Sequence, residues 1–219
     1  MNEYWEDPAR VEKFADRDPD HRLAQLVERY DRPPEVAVLD LGCAGGRNTE
    51  LLARRGFDVR AVDASEPMVE RTRERVSKLF GEDEARDRVR VGRMDDLSAY
   101  DDAAFDLVVA LGVHHSATTR EEWARAADEA VRVLKPGGLL LFNQFTPEVD
   151  LTGEGVRPVP GEPDVYDGFP AGRVVLLDAD ALDTAWAARG LEPEVPSETV
   201  RVELDPGRRV SVNALYRKR

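Results

Sequence analysis

The 219-residue chain has a single cysteine, Cys43, so it can form no internal disulfide. A reducing compartment suits such a chain, and a cytoplasmic location is expected. Long apolar runs are missing too. Leu107 to Val113 is among the longest, and it reaches strand length only, far short of the roughly 20 residues that cross a bilayer. The first residues, Met1-Asn2-Glu3-Tyr4-Trp5-Glu6-Asp7, are acidic and lack the apolar region of a signal peptide. Basic residues are outnumbered: 31 Lys and Arg face 44 Asp and Glu, a net charge of -13. That balance argues against broad binding to nucleic acid or to an anionic membrane, which both need basic surface. Arginine-rich pieces, Arg71 to Arg75 and Arg86 to Arg93, are interleaved with acids and read as solvated, salt-bridged faces. No internal repeat or low-complexity tract is visible.

What is present concentrates between Val36 and Asp63. An apolar run, Val36-Ala37-Val38-Leu39, ends in Asp40-Leu41 and passes through Gly42-Cys43-Ala44-Gly45-Gly46. A helix then opens at Asn48-Thr49-Glu50-Leu51-Leu52, and a second apolar run, Val59 to Val62, ends in Asp63. This is a β-loop-α-β unit with an acid at the tip of each strand. Glycines let the loop backbone approach a ligand closely. The ligand would lie across the carboxyl ends of the two strands. Asp63 suits a ribose diol; Asp40 suits a positively charged or water-bridged group. The dinucleotide fingerprint wants G-x-G-x-x-G. Counted from Gly42, its positions here are Gly42, Ala44 and Arg47, so two of the three glycines are missing. S-adenosylmethionine (SAM) has no pyrophosphate and does not need the third glycine.

The stretch Val38-Leu39-Asp40-Leu41-Gly42-Cys43-Ala44-Gly45-Gly46 closely resembles the first motif of class I SAM-dependent methyltransferases. Ala44 stands where that family has its middle glycine, and an alanine fits there with φ below zero. Ala61-Val62-Asp63-Ala64-Ser65-Glu66-Pro67-Met68 is similar to the family's second-strand motif, and Phe105-Asp106-Leu107-Val108-Val109-Ala110 to its fourth strand. Val133-Leu134-Lys135-Pro136-Gly137-Gly138 is similar to the turn into its fifth. That turn has a local logic: Lys135 complements a helix C-terminus, Pro136 ends the helix, and the glycines allow a tight turn. The motifs cover Val36 to about Phe145. The resemblance implies a single α/β domain over residues 1–219, doubly wound, with helices on both faces. Its seven-stranded, mostly parallel sheet would have one antiparallel strand and the order 3-2-1-4-5-7-6.

Around that unit, residues 1–34 read as an N-terminal helical cap, with Leu23, Leu26 and Val27 on one apolar face and Pro33-Pro34 as a break. Helices are expected from about Glu66 to Leu79, from Thr119 to Leu134 with Trp123, Ala127, Ala130 and Val131 inward, and from Asp180 to Arg189. A short strand is expected from Arg88 to Gly92. Residues 147–172 are rich in proline and glycine and read as a long, ordered loop, functional by its length. Residues 199–216 alternate about Asp205-Pro206-Gly207 as an antiparallel hairpin.

The resemblance assigns the cofactor, SAM, to Asp40 and Gly42 at its methionine part and to Ala44, Gly45 and Gly46 along the loop. Asp63 would take both ribose hydroxyls, since one carboxylate accepts two hydrogen bonds. Ala64 and Met68 are candidates to pack on the adenine. The third-strand motif departs from the family: Gly92 is followed by Arg93-Met94-Asp95-Asp96, not directly by an acid. Met94 and Asp95 are the expected adenine contacts. His115, with His114 as alternate, follows strand four and could act as a base; the family also carries histidines there that only line the cofactor. Adjacent residues point apart, so no metal site is expected. Asn143 could orient an acceptor, and Tyr166 and Phe169 would offer it aromatic surface. The reading is methyl transfer from SAM to a small-molecule acceptor, with no nucleic-acid or membrane partner. The alternatives are a methyltransferase acting on tRNA or protein, a nicotinamide-dependent reductase, and a SAM-binding module without catalysis.

Overall fold

The computed structural model describes residues 3–219. Strand β1 (Ala37–Leu41) is an interior strand of the sheet, and Val38, Leu39 and Leu41 are buried on both of its faces. A continuous apolar run of this kind belongs to a parallel strand covered by helices on each side. β1 pairs in parallel with β2 (Asp58–Asp63) and with β4 (Phe105–Leu111). β2 pairs with β3 (Val89–Val91) and β4 with β5 (Leu134–Phe145), again in parallel. The last strand, β10 (Arg208–Lys218), runs antiparallel to both β5 and β9 (Leu191–Glu203). The order is β3-β2-β1-β4-β5-β10-β9. Numbered within this seven-stranded sheet alone, it is 3-2-1-4-5-7-6, as expected.

Helices fill the two faces. On one, α6 (Arg120–Val133) and α7 (Ala179–Ala187) bury Trp123, Ala127 and Trp186 against Leu39, Leu41, Phe142 and Tyr216. On the other, α2 (His21–Val27) and α3 (Arg47–Arg54) bury Leu23, Leu26 and Leu52 against Val38, Leu107 and Leu141. α6 is built from its sequence. Thr119 caps it by accepting the Glu122 amide at 3.1 Å, and Trp123, Ala126, Ala127, Ala130 and Val133 follow at helical spacing on its buried face. α4 (Glu66–Phe80) lies outside β2 and β3, and α5 (Glu82–Arg88) follows it after Gly81. The sequence reading did not separate α5 because its surface is almost entirely charged and carries no apolar period. α1 (Pro8–Ala15), capped by Asp7, crosses over α4.

Three expectations need correction. Lys135 does not complement the end of α6. Its Nζ pairs with Asp106 at 2.8 Å, while Lys218 Nζ donates to the carbonyls of Val131 and Leu134, each at 2.7 Å. The cation at this helix end comes from the last strand. Residues 147–172 are not one long loop. β6 (Arg157–Pro158), β7 (Val165–Phe169) and β8 (Gly172–Val175) form a small antiparallel sheet with its own core of Val149, Phe169, Val174 and Leu176. The C-terminal hairpin is longer than expected at both ends, because β9 continues back to Leu191 through Pro193 and Pro196. As an edge strand it tolerates those prolines. Among the described residues no helix is long and apolar enough to cross a membrane.

Candidate active site

A cavity of about 690 Å³ opens at the carboxyl ends of β1, β2 and β4. Open α/β sheets bind ligands at this place, where the strand order reverses, and the volume suits a cofactor-sized molecule. Gly42, Cys43 and Ala44 form one wall; Asp63, Ala64, Ser65 and Met68 the next; Gly92, Arg93, Met94 and Asp95 the third. Leu111, Gly112, Val113 and the start of α6 close the far side, and Trp5, Glu6 and Phe14 cover it from the N-terminal segment.

The loop after β1 is held from behind. The Gly42 and Cys43 amides both donate to the Val62 carbonyl, at 2.7 and 3.1 Å, and the Gly46 amide to the Cys43 carbonyl at 3.0 Å. The Ala44 amide donates to Asp63 Oδ2 at 2.9 Å. Four amides of the loop are thus committed within the protein. That is a poor cradle for a pyrophosphate, and it agrees with the missing fingerprint glycines. Ala44 has φ +47°, contrary to the negative value expected. An L-residue there costs about 1–2 kcal/mol. It is fixed by its amide bond to Asp63 and by Thr72 Oγ1, which donates to its carbonyl at 2.7 Å. Gly45 and Gly46 do not line the cavity. A Cβ on Gly45 would lie 2.6 Å from the Ala15 Cα, where α1 crosses, and one on Gly46 would lie 2.9 Å from the Thr72 side chain. These two glycines serve helix packing.

The two strand-tip acids part company. Asp63 lies on the cavity wall and accepts the Ser65 amide on Oδ1 and the Ala44 amide on Oδ2, both at 2.9 Å. Burial raises its pKa, and these backbone donors oppose the rise. Each oxygen keeps a lone pair for a ligand. Asp40 is sealed behind the loop, 2% exposed, accepting from Thr49 Oγ1 at 2.6 Å. Burial pushes its carboxyl up to about 6, against the Thr49 hydrogen bond. The structure does not bring Asp40 to the cavity. Asp95 does reach the wall, but Arg93 Nε and Arg125 Nη2 already hold its two oxygens at 2.8 and 3.0 Å.

The histidines are not on the wall. His114 is fully buried, edge-on to Trp123, Phe142 and Trp186, and burial depresses its pKa to about 3. His115 is packed between Phe145 and Phe169 and depressed to about 4, again by burial. Both are neutral side chains of the core at pH 7. Ser116 and Thr118, just after them, face the cavity instead. Asn143 Nδ2 donates to the Val212 carbonyl at 3.0 Å and to Asn213 Oδ1 at 2.7 Å, so it joins β5 to β10. Tyr166 and Phe169 belong to the small sheet and its core, away from the cavity. Of the residues expected at the cofactor, Gly42, Ala44, Asp63, Ala64, Met68, Met94 and Asp95 line one cavity.

Sequence reasoning missed the N-terminal contribution. Trp5 and Phe14 pack edge to face, with centroids 5.5 Å apart. The segment is fastened by Ser65 Oγ donating to the Trp5 carbonyl at 3.1 Å, by Arg71–Glu12 at 3.0 Å, and by Arg75 Nη2 donating to the Ala15 carbonyl at 2.6 Å. The available signal was the pair of aromatics in an otherwise charged stretch.

Comparison with known proteins agrees with this geometry. A family described as a methyltransferase domain matches residues 39–142. The chain is 33% identical over 139 residues to Methyltransferase GfsG of Streptomyces halstedii, covering 63% of this chain and 47% of that protein. It is 34% identical over 123 residues to a ubiquinone biosynthesis O-methyltransferase of Xanthomonas oryzae, covering 56% and 48%. The chain thus spans about half the length of these curated relatives. Among solved structures, the 1,6-didemethyltoxoflavin-N1-methyltransferase of Burkholderia thailandensis, with bound S-adenosylhomocysteine, shares the fold at a TM-score of 0.65 and 23% identity, covering 90% of this chain and 76% of that one.

Proposed function

We propose that this chain, whose residues 39–142 match a methyltransferase-domain family, is a class I SAM-dependent methyltransferase that binds SAM in the cavity at the strand ends and methylates a small organic acceptor. The observation that carries the reading is Asp63. It is a buried carboxylate at the tip of β2, fixed by two backbone amides, with lone pairs left over on the cavity wall. A ribose diol is the natural complement of such a group. Ala64, Met68 and Met94 supply apolar wall for the adenine. Gly42 lies on the wall where the methionine end would sit, and glycine is required there by its φ of +76° and by the Val113 side chain, which a Cβ would meet at 2.7 Å.

Bound SAM supplies a methyl group already activated by its sulfonium. The residues of this chain then have to position and to keep water out. Trp5 and Phe14 cover the cavity, and Leu111, Gly112 and Val113 border it at the end of β4. No histidine stands on the wall, and Asp95 is tied to two arginines. We therefore read the transfer as one that needs no histidine base, to an acceptor atom with a free lone pair at neutral pH. The acidic charge balance, the covered cavity and the name of the ubiquinone-pathway relative support a small acceptor. The test is release of S-adenosylhomocysteine from SAM against a library of small phenols, amines and thiols, beside total tRNA and cell protein. Turnover with a small molecule is the expected result. Turnover with tRNA or protein alone would overturn the choice of acceptor.

A further inference from the structure

Three arginines line the cavity, and they differ in what they hold. Arg93 donates to Asp95 at 2.8 Å and to Glu122 at 2.7 Å, and Arg125 donates to Asp95 at 3.0 Å, so both are neutralised on the wall itself. Arg47 has no carboxylate. Among the described residues its guanidinium makes one hydrogen bond, from Nη1 to the Asp18 carbonyl at 2.6 Å, and Nε and Nη2 are left over. Asn48, the next residue of α3, lines the same cavity and is only 7% exposed. Its Oδ1 accepts the Asp20 amide at 2.9 Å, which fixes which side-chain atom is the oxygen. Its Nδ2 donates to nothing among the described residues, yet it is not sealed away like the orphaned polar atoms of the core. That amide nitrogen opens to the cavity.

Arg47 and Asn48 open α3 directly after the loop, on the wall shared with Gly42 and Ala44. Asp40, the acid that the resemblance set at the methionine end, is sealed behind that loop and bound to Thr49. What faces the cavity here is a guanidinium with two unspent nitrogens beside a nearly buried amide with unspent N–H groups. Both are donors only, and the start of a helix adds partial positive charge. A carboxylate satisfies such a pair, because guanidinium holds it with paired N–H bonds. The same two side chains also reach the other way. Through the Asp18 carbonyl and the Asp20 amide they grip the segment that joins α1, whose Phe14 covers the cavity, to α2.

Resting on the reading of the cavity as a SAM site, we propose that Arg47 and Asn48 receive the carboxylate of the cofactor's methionine end and thereby fasten the N-terminal cover. Arg47 supplies the charge and Asn48 a neutral N–H donor. The pair selects nucleosides that carry an amino-acid end over those that lack one. Ligand carboxylate, α3 and residues 18–20 then share two side chains, so the carboxylate steadies α1 above the cavity.

The test is calorimetric titration with S-adenosylhomocysteine and with methylthioadenosine, which keeps the nucleoside and the thioether but has no carboxylate. Wild type should bind S-adenosylhomocysteine about 100-fold more tightly, since each hydrogen bond to a charged group is worth roughly tenfold or more. Arg47→Gln keeps an N–H for the Asp18 carbonyl. Asn48→Asp keeps an oxygen for the Asp20 amide and sets a negative charge against the ligand. Each should narrow the preference about tenfold while methylthioadenosine affinity stays within about twofold, which shows that the variants are folded. In wild type, S-adenosylhomocysteine should also slow amide exchange at the buried Val11 and Ala15 of α1 more than methylthioadenosine does at equal saturation. A preference that survives in both variants, as it would if these residues served an anion of the acceptor, overturns the subsite. Equal exchange with the two ligands overturns the fastening. Failure of both ligands to bind wild type contradicts the SAM reading itself.

Discussion

Replacing Asp63 with alanine probes the cofactor assignment and the loop together, and the structure separates the two effects. The carboxylate accepts the Ala44 and Ser65 amides at 2.9 Å each, so its loss leaves two backbone donors at the cavity wall without their partner. Hydrogen bonds to a charged group contribute about 1.5–3 kcal/mol each, but relief of a buried charge and entry of water from the cavity offset part of this. A net destabilisation of about 2–3 kcal/mol follows. The ligand term is distinct. Two ribose hydroxyls lose a charged acceptor, which weakens S-adenosylhomocysteine binding by about 2–4 kcal/mol, roughly 30- to 1000-fold. Thermal melts of the free protein read the first effect. Calorimetric titration at a temperature where the variant is folded reads the second. Asp63→Asn, which keeps one acceptor oxygen, should fall between wild type and alanine in both. A folded Asp63→Ala protein with wild-type affinity would refute the assignment of this carboxylate to the ribose.

Ala44→Gly should raise stability by about 0.5–1 kcal/mol, because release of the φ +47° strain exceeds the added freedom of the unfolded chain; a lower denaturation midpoint would contradict this. Asp40 has a folded pKa raised from 3.8 to about 6, so the stability it contributes is fully present below 3.8 and is lost as pH rises through about 6. That loss is about 3 kcal/mol, and Asp40→Asn should abolish it, so that the variant gains on wild type between pH 4 and 7 in chemical denaturation. His115 is depressed from 6.5 to about 4, so its contribution is present above 6.5 and lost as pH falls through about 4. His115→Phe should therefore resist acid unfolding better by about 3 kcal/mol. It should also leave the pH dependence of turnover unchanged, whereas a lost ionisation in that profile would restore His115 as the base.

The centre of the fold was legible because its signals are local. The run into Asp40 and the run into Asp63 each specify their own strand, and the sheet order is the one implied by the resemblance of the four strand motifs to the methyltransferase family. Contacts made across long separations were not legible. Lys135 looks like a helix-end cation, yet Lys218 takes that role because β10 returns beside β5. Tyr166 and Phe169 look like ligand-facing aromatics on a loop, yet Val149, Val174 and Leu176 gather Phe169 into a core. The histidines sit one and two residues after Val113, which reaches the wall, and the short turn at His114–Ser116 carries both inward. The reversed backbone of Ala44 was foreseeable in kind, since the family keeps glycine there, but its sign follows from the bonds to Asp63 and Thr72.

Native mass spectrometry of the purified chain with equimolar S-adenosylhomocysteine and NAD tests the central claim most directly. The loop amides spent on Val62 and Asp63, and the carboxylate at the tip of β2, predict one bound S-adenosylhomocysteine per chain and no NAD. Occupancy by NAD, or no retention of S-adenosylhomocysteine, would contradict the account.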